Sequence, residues 1–273
     1  MNDLDDLRID RSGPDEPPPP RRSGIWLPIA IAVLMAGGAL WYFFVRTPSD
    51  VEVRTETTQA VEQKPDSRLP AEPGENIPLP PLGETDALVR ELVSRLSSHP
   101  RVAAWLTTDG LIRNFTVSVV NIANGRTPAS HLKTVQPEGT FQVREVGDEL
   151  VIDPRSYQRY DGHADAVAAL DAQGVARLYA TLKPRIDEAH QELGGKPGEF
   201  DAVLERAITE LLKTPVVEGD VKLKADSVSY AYADPRLESL SSAQRQLLRM
   251  GPRNVKIVQA KLREIAKYLG FQV

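Results

Sequence analysis

Cysteine is absent from all 273 residues of the chain. The protein can therefore form neither a disulfide bond nor a thiolate zinc site, and it has no cysteine nucleophile. The absence is compatible with an oxidising compartment, where free thiols are a liability, but it does not establish one. The fractions of apolar, charged and aromatic residues, 41%, 26% and 6%, are otherwise ordinary for a folded protein.

The chain also lacks the short motifs of common catalytic and nucleotide-binding sites. There is no G-x-S-x-G, no Walker loop, no G-x-G-x-x-G, no H-E-x-x-H and no paired-carboxylate signature. Metal binding has two weak candidates: Asp161, His163 and Asp165 alternate, and Asp187 precedes His190 by three residues. A helical pattern follows the first group, and alternate residues of a helix diverge by about 200°, so these three side chains would not converge on one ion. The second pair occurs only once, whereas metal sites of this kind in helical bundles use a second such pair on a partner helix. We therefore predict no catalytic residue, no metal and no cofactor, and the pattern favours a protein that is not an enzyme.

A long uncharged run lies near the N terminus. Residues 23–45 contain no Asp, Glu, Lys, Arg or His, and most of the run reads GIWLPIAIAVLMAGGALWYFFV. About 20 apolar residues can cross ~30 Å of hydrocarbon as a helix, and Trp26, Trp41 and Tyr42 lie near its ends, as interfacial aromatic residues do. We predict a transmembrane helix over residues 25–45. A cleaved signal peptide and a buried soluble helix are the alternatives, but the run is long for the first and the rest of the chain is too polar to surround the second.

The charges beside this helix predict its orientation. Arg21 and Arg22 directly precede it, whereas only Arg46 directly follows it. Because Lys and Arg accumulate on the cytoplasmic side, we expect a cytoplasmic N terminus and a periplasmic C-terminal domain, as in a single-pass protein of the bacterial inner membrane. Residues 1–24 are acidic and proline-rich, which predicts a disordered tail.

The region after the membrane helix divides into a linker and a folded domain. Residues 46–82 contain seven prolines and little periodic hydrophobicity, which predicts a disordered linker. Residues 83–273 are enough for one sizeable core. Helical spacing is found in three apolar sets: Leu88, Leu92 and Leu96; Leu111, Phe115, Val119 and Ile122; and Val175, Leu178, Leu182, Ile186 and Leu193. Pro184 is expected to kink the third helix.

Two segments alternate in the manner of β-hairpins. In FQVREVGDELVID, Gly147 and Asp148 supply a two-residue turn between alternating strands, and VKLKADSVSYAYAD alternates in the same way. The predicted class is therefore mainly α, a single α-helical globular domain with one or two short β-hairpins.

The C-terminal helices have the clearest boundaries. Ser241 and Gln244 form an S-x-x-Q capping box before one helix, Gly251 ends that helix, and Pro252 can open the next. The apolar positions of the last helix are Val255, Val258, Leu262, Ile265 and Leu269, and its basic positions are Arg253, Lys256, Arg263 and Lys267. The basic set lies about two residues out of phase, or ~200° around the helix, and is predicted to point away from the packed face.

The charge of this region raises a question of function. From Arg245 to Lys267 there are seven basic residues and one acidic residue, a local charge of +6 (7 − 1) in a chain of net charge −5. A nucleic-acid-binding hairpin is disfavoured because the paired glycines of such turns are missing. A solvated face beside a Gly-Pro corner is the simplest interpretation. The alternative is a site for another anion at the helix N terminus, and its candidate residues are Arg249, Arg253, Lys256, Arg263 and Lys267.

Four tyrosines form a further candidate. Tyr157 and Tyr160, together with Tyr230 and Tyr232, could line a carbohydrate or peptide groove. Tyrosines at these spacings also commonly pack with their hydroxyls at the edge of the core, and we favour this second interpretation.

Several stretches together resemble a known family. They are LPPLGETDALVRELVSRLSSHPRVAAWL, DGLIRNFTVSVVNIANGRTPASHL, DPRSYQRYDGHADAVAALD and LRMGPRNVKIVQAKLRE. In this order and spacing they resemble the uncharacterised bacterial membrane proteins grouped as domain of unknown function 3014, from Leu79 to Lys267. The resemblance implies one N-terminal membrane helix followed by one α-rich domain, and it implies no activity, cofactor or catalytic residue.

These observations predict a membrane-tethered interaction or scaffold module of the bacterial envelope. Its expected partners are the lipid bilayer, through residues 25–45, and an unknown envelope protein or anionic envelope component, but not nucleic acid. The membrane-interface residues would be Trp26, Trp41, Tyr42, Arg21 and Arg22. The alternatives are an envelope enzyme, acting for example on the cell wall through unrecognised catalytic residues, and a small-ligand sensor.

Overall fold

The computed structural model describes residues 73–128, 136–226 and 229–273. The predicted tail, the predicted transmembrane helix with its interfacial residues and most of the predicted linker lie outside these ranges, as does His131. Among the described residues, no helix combines the length and the apolar character needed to span a bilayer.

Ten α-helices and four β-strands make up the described part of the chain. The helices are α1 (Asp86–Ser94), α2 (Pro100–Trp105), α3 (Leu111–Ala123), α4 (Pro154–Gln158), α5 (Asp161–Ala168), α6 (Ala172–Glu192), α7 (Phe200–Leu212), α8 (Pro235–Glu238), α9 (Ser242–Leu248) and α10 (Pro252–Leu269). The strands are β1 (Val143–Val146), β2 (Glu149–Ile152), β3 (Lys222–Asp226) and β4 (Ser229–Tyr232), and a short 3-10 turn, Leu82–Glu84, precedes α1. The predicted class, mostly helical with a little β structure, is confirmed.

The main core lies between the long helices. Helix α3 packs on α6 and α7, and α10 packs on α5, α6 and α7. All four apolar positions predicted for α3, from Leu111 to Ile122, are buried. The side chains of Phe200 and Leu262 are fully enclosed at the start of α7 and in the middle of α10. The apolar periodicity of these helices therefore does form one continuous core.

The two predicted hairpins join into one antiparallel sheet of order β1-β2-β3-β4. The joining pair is β2 with β3, where Leu150 lies opposite Leu223. One face of the sheet covers a second, smaller apolar cluster that includes Ile152, Tyr232 and, from α9, Leu248. The sheet is thereby fixed against the last helix pair.

Residues that precede α1 also belong to the folded domain. The backbone N–H of Glu75 donates to the Thr181 hydroxyl of α6 at 2.8 Å, and the Arg185 guanidinium donates to the Leu79 carbonyl at 3.1 Å. Ile77 and Leu79 pack against the main core. The end of the segment predicted as linker therefore lies along α6.

Three local details bear on the predicted helical patterns. Helix α1 buries Val89, Leu92 and Val93, and Leu88 and Leu96 of the predicted stripe are partly buried against the same core. Leu193 lies beyond the last turn of α6 and is 49% exposed, so its predicted place on the packed stripe is wrong. Pro184 lies inside α6, whose assigned helix continues on both sides of it, and the predicted kink stays a prediction.

The start of α1 has no side-chain cap. Thr85 occupies the N-cap position, but its hydroxyl donates to the Leu82 carbonyl and caps nothing. The Asp86 carboxylate instead accepts from the backbone N–H groups of Gly110 and Leu111, at 2.7 and 2.8 Å. It therefore satisfies the free N–H groups at the start of α3.

Candidate functional site

The Gly-Pro corner has the predicted geometry. Ser241 and Gln244 form a complete capping box at α9, Gly251 has φ +81° and ψ +164°, and Pro252 is the first residue of α10. A Cβ added at Gly251 would lie 2.5 Å from Cγ of Tyr157. The corner therefore requires glycine both for its backbone conformation and for the ring packed against it.

The two faces of α10 are also as predicted. The five apolar positions from Val255 to Leu269 are buried, while Lys256, Arg263 and Lys267 are exposed. The basic residues consequently contribute little to the packing of the core.

Arg253, at the start of α10, is held by acidic residues of α5. Its guanidinium lies 2.8 Å from the Asp165 carboxylate and 3.5 Å from that of Asp161. Asn254 is 1% exposed, and its Nδ2 donates to Asp161 at 2.8 Å and to the carbonyls of Met250 and Tyr157. An anion at this end of α10 would have to compete with two carboxylates that already occupy the positive end of the helix dipole.

The remaining basic residues of α10 divide into paired and unpaired groups. Lys256 lies 2.5 Å from Glu218, and Lys261 lies 2.6 Å from Glu264. No ion pair involves Arg263 or Lys267 among the described residues. These two side chains stand four residues apart, about 6 Å along the axis, with exposed Ala260 one turn before Arg263. We call Lys256, Arg263 and Lys267 the basic face.

Arg249 lies on the other side of the corner, among tyrosines. Tyr160 and Tyr232 are buried at 2% and 7% exposure, and Tyr157 packs with Tyr232 beneath the sheet. Arg249 is half-buried, and its charge acts on both Tyr160 and Tyr232. The structure therefore brings together three of the four tyrosines singled out in the sequence and one of the five basic residues.

The fourth tyrosine is more open. Tyr230 is 39% exposed and its ring centroid lies 6.0 Å from that of Phe141. This pair lies on the same sheet face as Tyr232, because alternate residues of β4 point to one side.

Burial sets the protonation of the tyrosine hydroxyls. It raises the pKa of Tyr160 to about 12 and is the main cause of the raised pKa values of Tyr157 and Tyr232, while the charge of Arg249 opposes the rise at Tyr160 and Tyr232. The hydroxyls are therefore neutral at physiological pH and can donate hydrogen bonds.

Arg245 lies one helical turn before Arg249 but has a partner. Its guanidinium contacts both the carboxylate and the backbone carbonyl of Glu238. The same carboxylate accepts from the backbone N–H of Tyr232 at 2.8 Å. Glu238 thus neutralises Arg245 and fixes the edge strand β4 beside it.

The two histidines considered as metal ligands lie in apolar surroundings. His163 is 2% exposed, with its ring 6.2 Å from that of Trp105 and nearly parallel to it, and burial lowers its pKa to about 4. His190 contacts the Phe200 ring, while the Asp187 carboxylate pairs with Lys183. Within the described ranges, no three His, Asp or Glu side chains converge as a metal site would need.

Sequence patterns did not single out two residues of the site, Asn254 and Glu238. Each acts on a segment that is distant in sequence or on a neighbouring element, and the local sequence around each carries no distinctive signal.

Comparison with known proteins gives one match. The model of a family described as "Protein of unknown function (DUF3014)" matches residues 111–266, more than half of the chain, and confirms the resemblance found in the sequence. No curated protein and no solved structure matches significantly.

Proposed function

The chain belongs to the family described as "Protein of unknown function (DUF3014)", and from this premise we propose that it is a membrane-tethered interaction module of the bacterial envelope. The proposed anchor is residues 25–45 in the inner membrane, with the N terminus in the cytoplasm and the folded domain in the periplasm. The domain would hold an anionic partner, an envelope protein or another anionic envelope component, through the basic face of α10.

The location is supported by the sequence of the anchor. Residues 23–45 are uncharged over a length sufficient for a bilayer, and Arg21 and Arg22 precede them directly. The linker that follows would leave the domain free to reach a partner tens of ångströms from the bilayer, since a flexible chain of this length spans on the order of 35 Å.

The partner's charge is supported by the basic face, and this is the observation that carries the proposal. Arg263 and Lys267 are exposed and unpaired in the described structure, so their charges are available. Lys256 pairs with Glu218, but both side chains are more than half exposed, at 61% and 64%. Exposed pairs of this kind contribute little to stability, so an acidic group of a partner can replace Glu218 without cost to the fold.

Arg249 and Arg253 would contribute less than the basic face to binding the anionic partner. Arg253 is engaged with Asp161 and Asp165, and Arg249 is half-buried on the far side of the corner. A partner docked on the basic face would therefore be held mainly by the C-terminal half of α10.

Photocrosslinking in intact cells tests this function. A photoreactive amino acid replaces Ala260, which is exposed within the basic face, and the matched control position is Ala202, exposed on α7. We expect an adduct of defined mass from position 260, and none from position 202.

Charge-reversal variants then test whether the crosslink forms only when the basic face keeps its positive charge. Arg263→Glu with Lys267→Glu should abolish it, while Lys196→Glu with Lys224→Glu, which changes the net charge equally at exposed positions elsewhere, should preserve it. An adduct that persists in the first double variant, with its fold intact by circular dichroism, would show that the basic face does not bind the partner.

A further inference from the structure

Arg249 is the basic residue of the corner that the fold does not neutralise. Its guanidinium has no acidic partner among the described residues, whereas Arg245, one turn earlier on α9, is neutralised by Glu238. A half-buried cation without an opposite charge is unusual, because partial burial removes some of its hydration without replacement. Its position just after α9 is favourable with respect to the helix dipole, but this explains only part of its placement.

Tyr232 supplies a second polar group at the same point. The side chain is 7% exposed, and its hydroxyl makes no well-aligned hydrogen bond within the described residues, although Arg249 lies close to it. Buried hydroxyls normally have a partner, and this one has no well-aligned partner among the described residues, so it can donate to a ligand. The hydroxyl oxygen can accept a hydrogen bond from the guanidinium, but neither group offers an acceptor for the Tyr232 O–H or for the remaining guanidinium N–H groups.

Rigid elements hold these two donors in place. The backbone of Tyr232 is fixed by pairing with Leu223 on one side and by the Glu238 carboxylate on the other. Arg249 is the C-cap residue of α9, two residues before Gly251, which packs against the ring of Tyr157. The donors are therefore preorganised, which lowers the entropic cost of binding a ligand.

We propose that Arg249 and the Tyr232 hydroxyl form a binding site for a single carboxylate, such as that of a peptide C terminus or a sugar acid. A guanidinium presents parallel N–H donors that match the two oxygens of a carboxylate, and the hydroxyl adds a third donor. Of Arg245, Arg249 and Arg253, which flank the corner, Arg245 and Arg253 already pair with acids, and Arg249 carries the charge that is left uncompensated among the described residues. A monoanion balances that charge, whereas a phosphate dianion would bring excess negative charge near Glu238.

The test uses the full chain in detergent micelles, with ¹⁵N-labelled arginine side chains observed by NMR. The Arg249 Nε–H signal is assigned by its loss in Arg249→Lys. The probes are N-acetyl-alanyl-alanine, its C-terminal amide, glucuronate and inorganic phosphate. We expect a saturable shift of the Arg249 signal with the peptide acid, with glucuronate or with both, and a much weaker one with the amide; the two acids distinguish a peptide from a sugar source.

Variants test whether the shift of the Arg249 signal reports binding at Arg249 and Tyr232. Tyr232→Phe should weaken binding of the effective acid by roughly 2- to 12-fold, the value of one hydrogen bond, and backbone amide spectra report whether the fold is kept. Arg236→Lys, at an exposed arginine of α8, is the matched control and should leave affinity unchanged. Arg263→Glu with Lys267→Glu should also leave it unchanged, so this site and the proposed basic-face function fail or succeed separately.

Three results would overturn the proposal. The first is an Arg249 signal that moves with neither acid, or equally with the amide. The second is a stronger response to phosphate than to both acids, which would assign the site to a different anion. The third is an effect of Tyr232→Phe no larger than that of Arg236→Lys, which would show that the hydroxyl does not bind the ligand.

Discussion

Replacing Gly251 with alanine tests how the last two helices are joined. The glycine has φ +81° and ψ +164°, a region that is essentially restricted to glycine. The new methyl group would also lie 2.5 Å from Cγ and 2.7 Å from Cβ of Tyr157, so the ring would have to move. The substitution therefore combines backbone strain with overpacking at one position.

The size of the effect follows from these two contributions. Strained backbone costs on the order of 1–3 kcal/mol, and overpacking of a tight contact costs about 1–3 kcal/mol. We expect Gly251→Ala to lower the free energy of unfolding by roughly 2–6 kcal/mol, a large share of the ~5–15 kcal/mol typical of a domain. Alanine at two other glycines separates the backbone strain from the overpacking. Gly219 has φ +80° with nothing near its added Cβ, so Gly219→Ala introduces backbone strain alone. Gly83 has open space and no positive φ, so Gly83→Ala introduces neither.

Urea unfolding of a fragment comprising residues 73–273 provides the measurement. Its one tryptophan, Trp105, is 3% exposed, so fluorescence reports loss of the core, and linear extrapolation gives the free energy. The expected order of destabilisation is Gly251→Ala, then Gly219→Ala, then Gly83→Ala. If Gly251→Ala costs no more than Gly219→Ala, the close contact with Tyr157 is wrong; if all three are equal, the conformational argument is refuted as well.

Four further outcomes are expected. Leu262→Ala should cost about 2–5 kcal/mol in the same assay, as truncations in enclosed cores do. The pKa of His163 is lowered to about 4 in the folded state from near 6.5 when unfolded, so the unfolded chain binds the proton more readily and acid favours unfolding. The free energy of unfolding should therefore fall by about 2–3 kcal/mol between pH 6.5 and pH 4. His163→Phe should reduce this dependence on pH. A fragment beginning at residue 83 should unfold at lower urea than one beginning at residue 73, since it lacks the contacts with α6. A reporter active only outside the cytoplasm, fused after Val273, should be active, and activity of a cytoplasmic reporter alone would reverse the proposed topology.

Sequence patterns were sufficient wherever a structural feature depends on neighbouring residues. The spacing of Leu111 to Ile122 places a helix and its buried face, and the Ser241–Gln244 box places the start of α9. The turn at Gly147 places the first hairpin. Each of these signals lies within a few turns of the chain, which is the range over which helical and strand periodicity acts.

Features that depend on distant residues were not accessible in this way. The pairing of Leu150 with Leu223 joins two hairpins separated by some seventy residues, and no local pattern encodes that register. The local sequence around Asp86 does not show that its carboxylate caps α3, a helix that begins well beyond it in the chain. Periodicity likewise located the exposed side of α10 without identifying which of its cations have acidic partners.

Those distant partners decide where an anion can bind. The sequence groups Arg249, Arg253 and the basic face into one charged stretch, whereas folding brings Asp161 and Asp165 to Arg253 from almost ninety residues away. Because these carboxylates already compensate the positive end of α10, the corner joins helices and is not an open anion cradle. The charge that remains available lies in two separate places, on the exposed end of α10 and at Arg249 beside Tyr232. The two proposed sites, one for a partner surface and one for a small carboxylate, would therefore act independently.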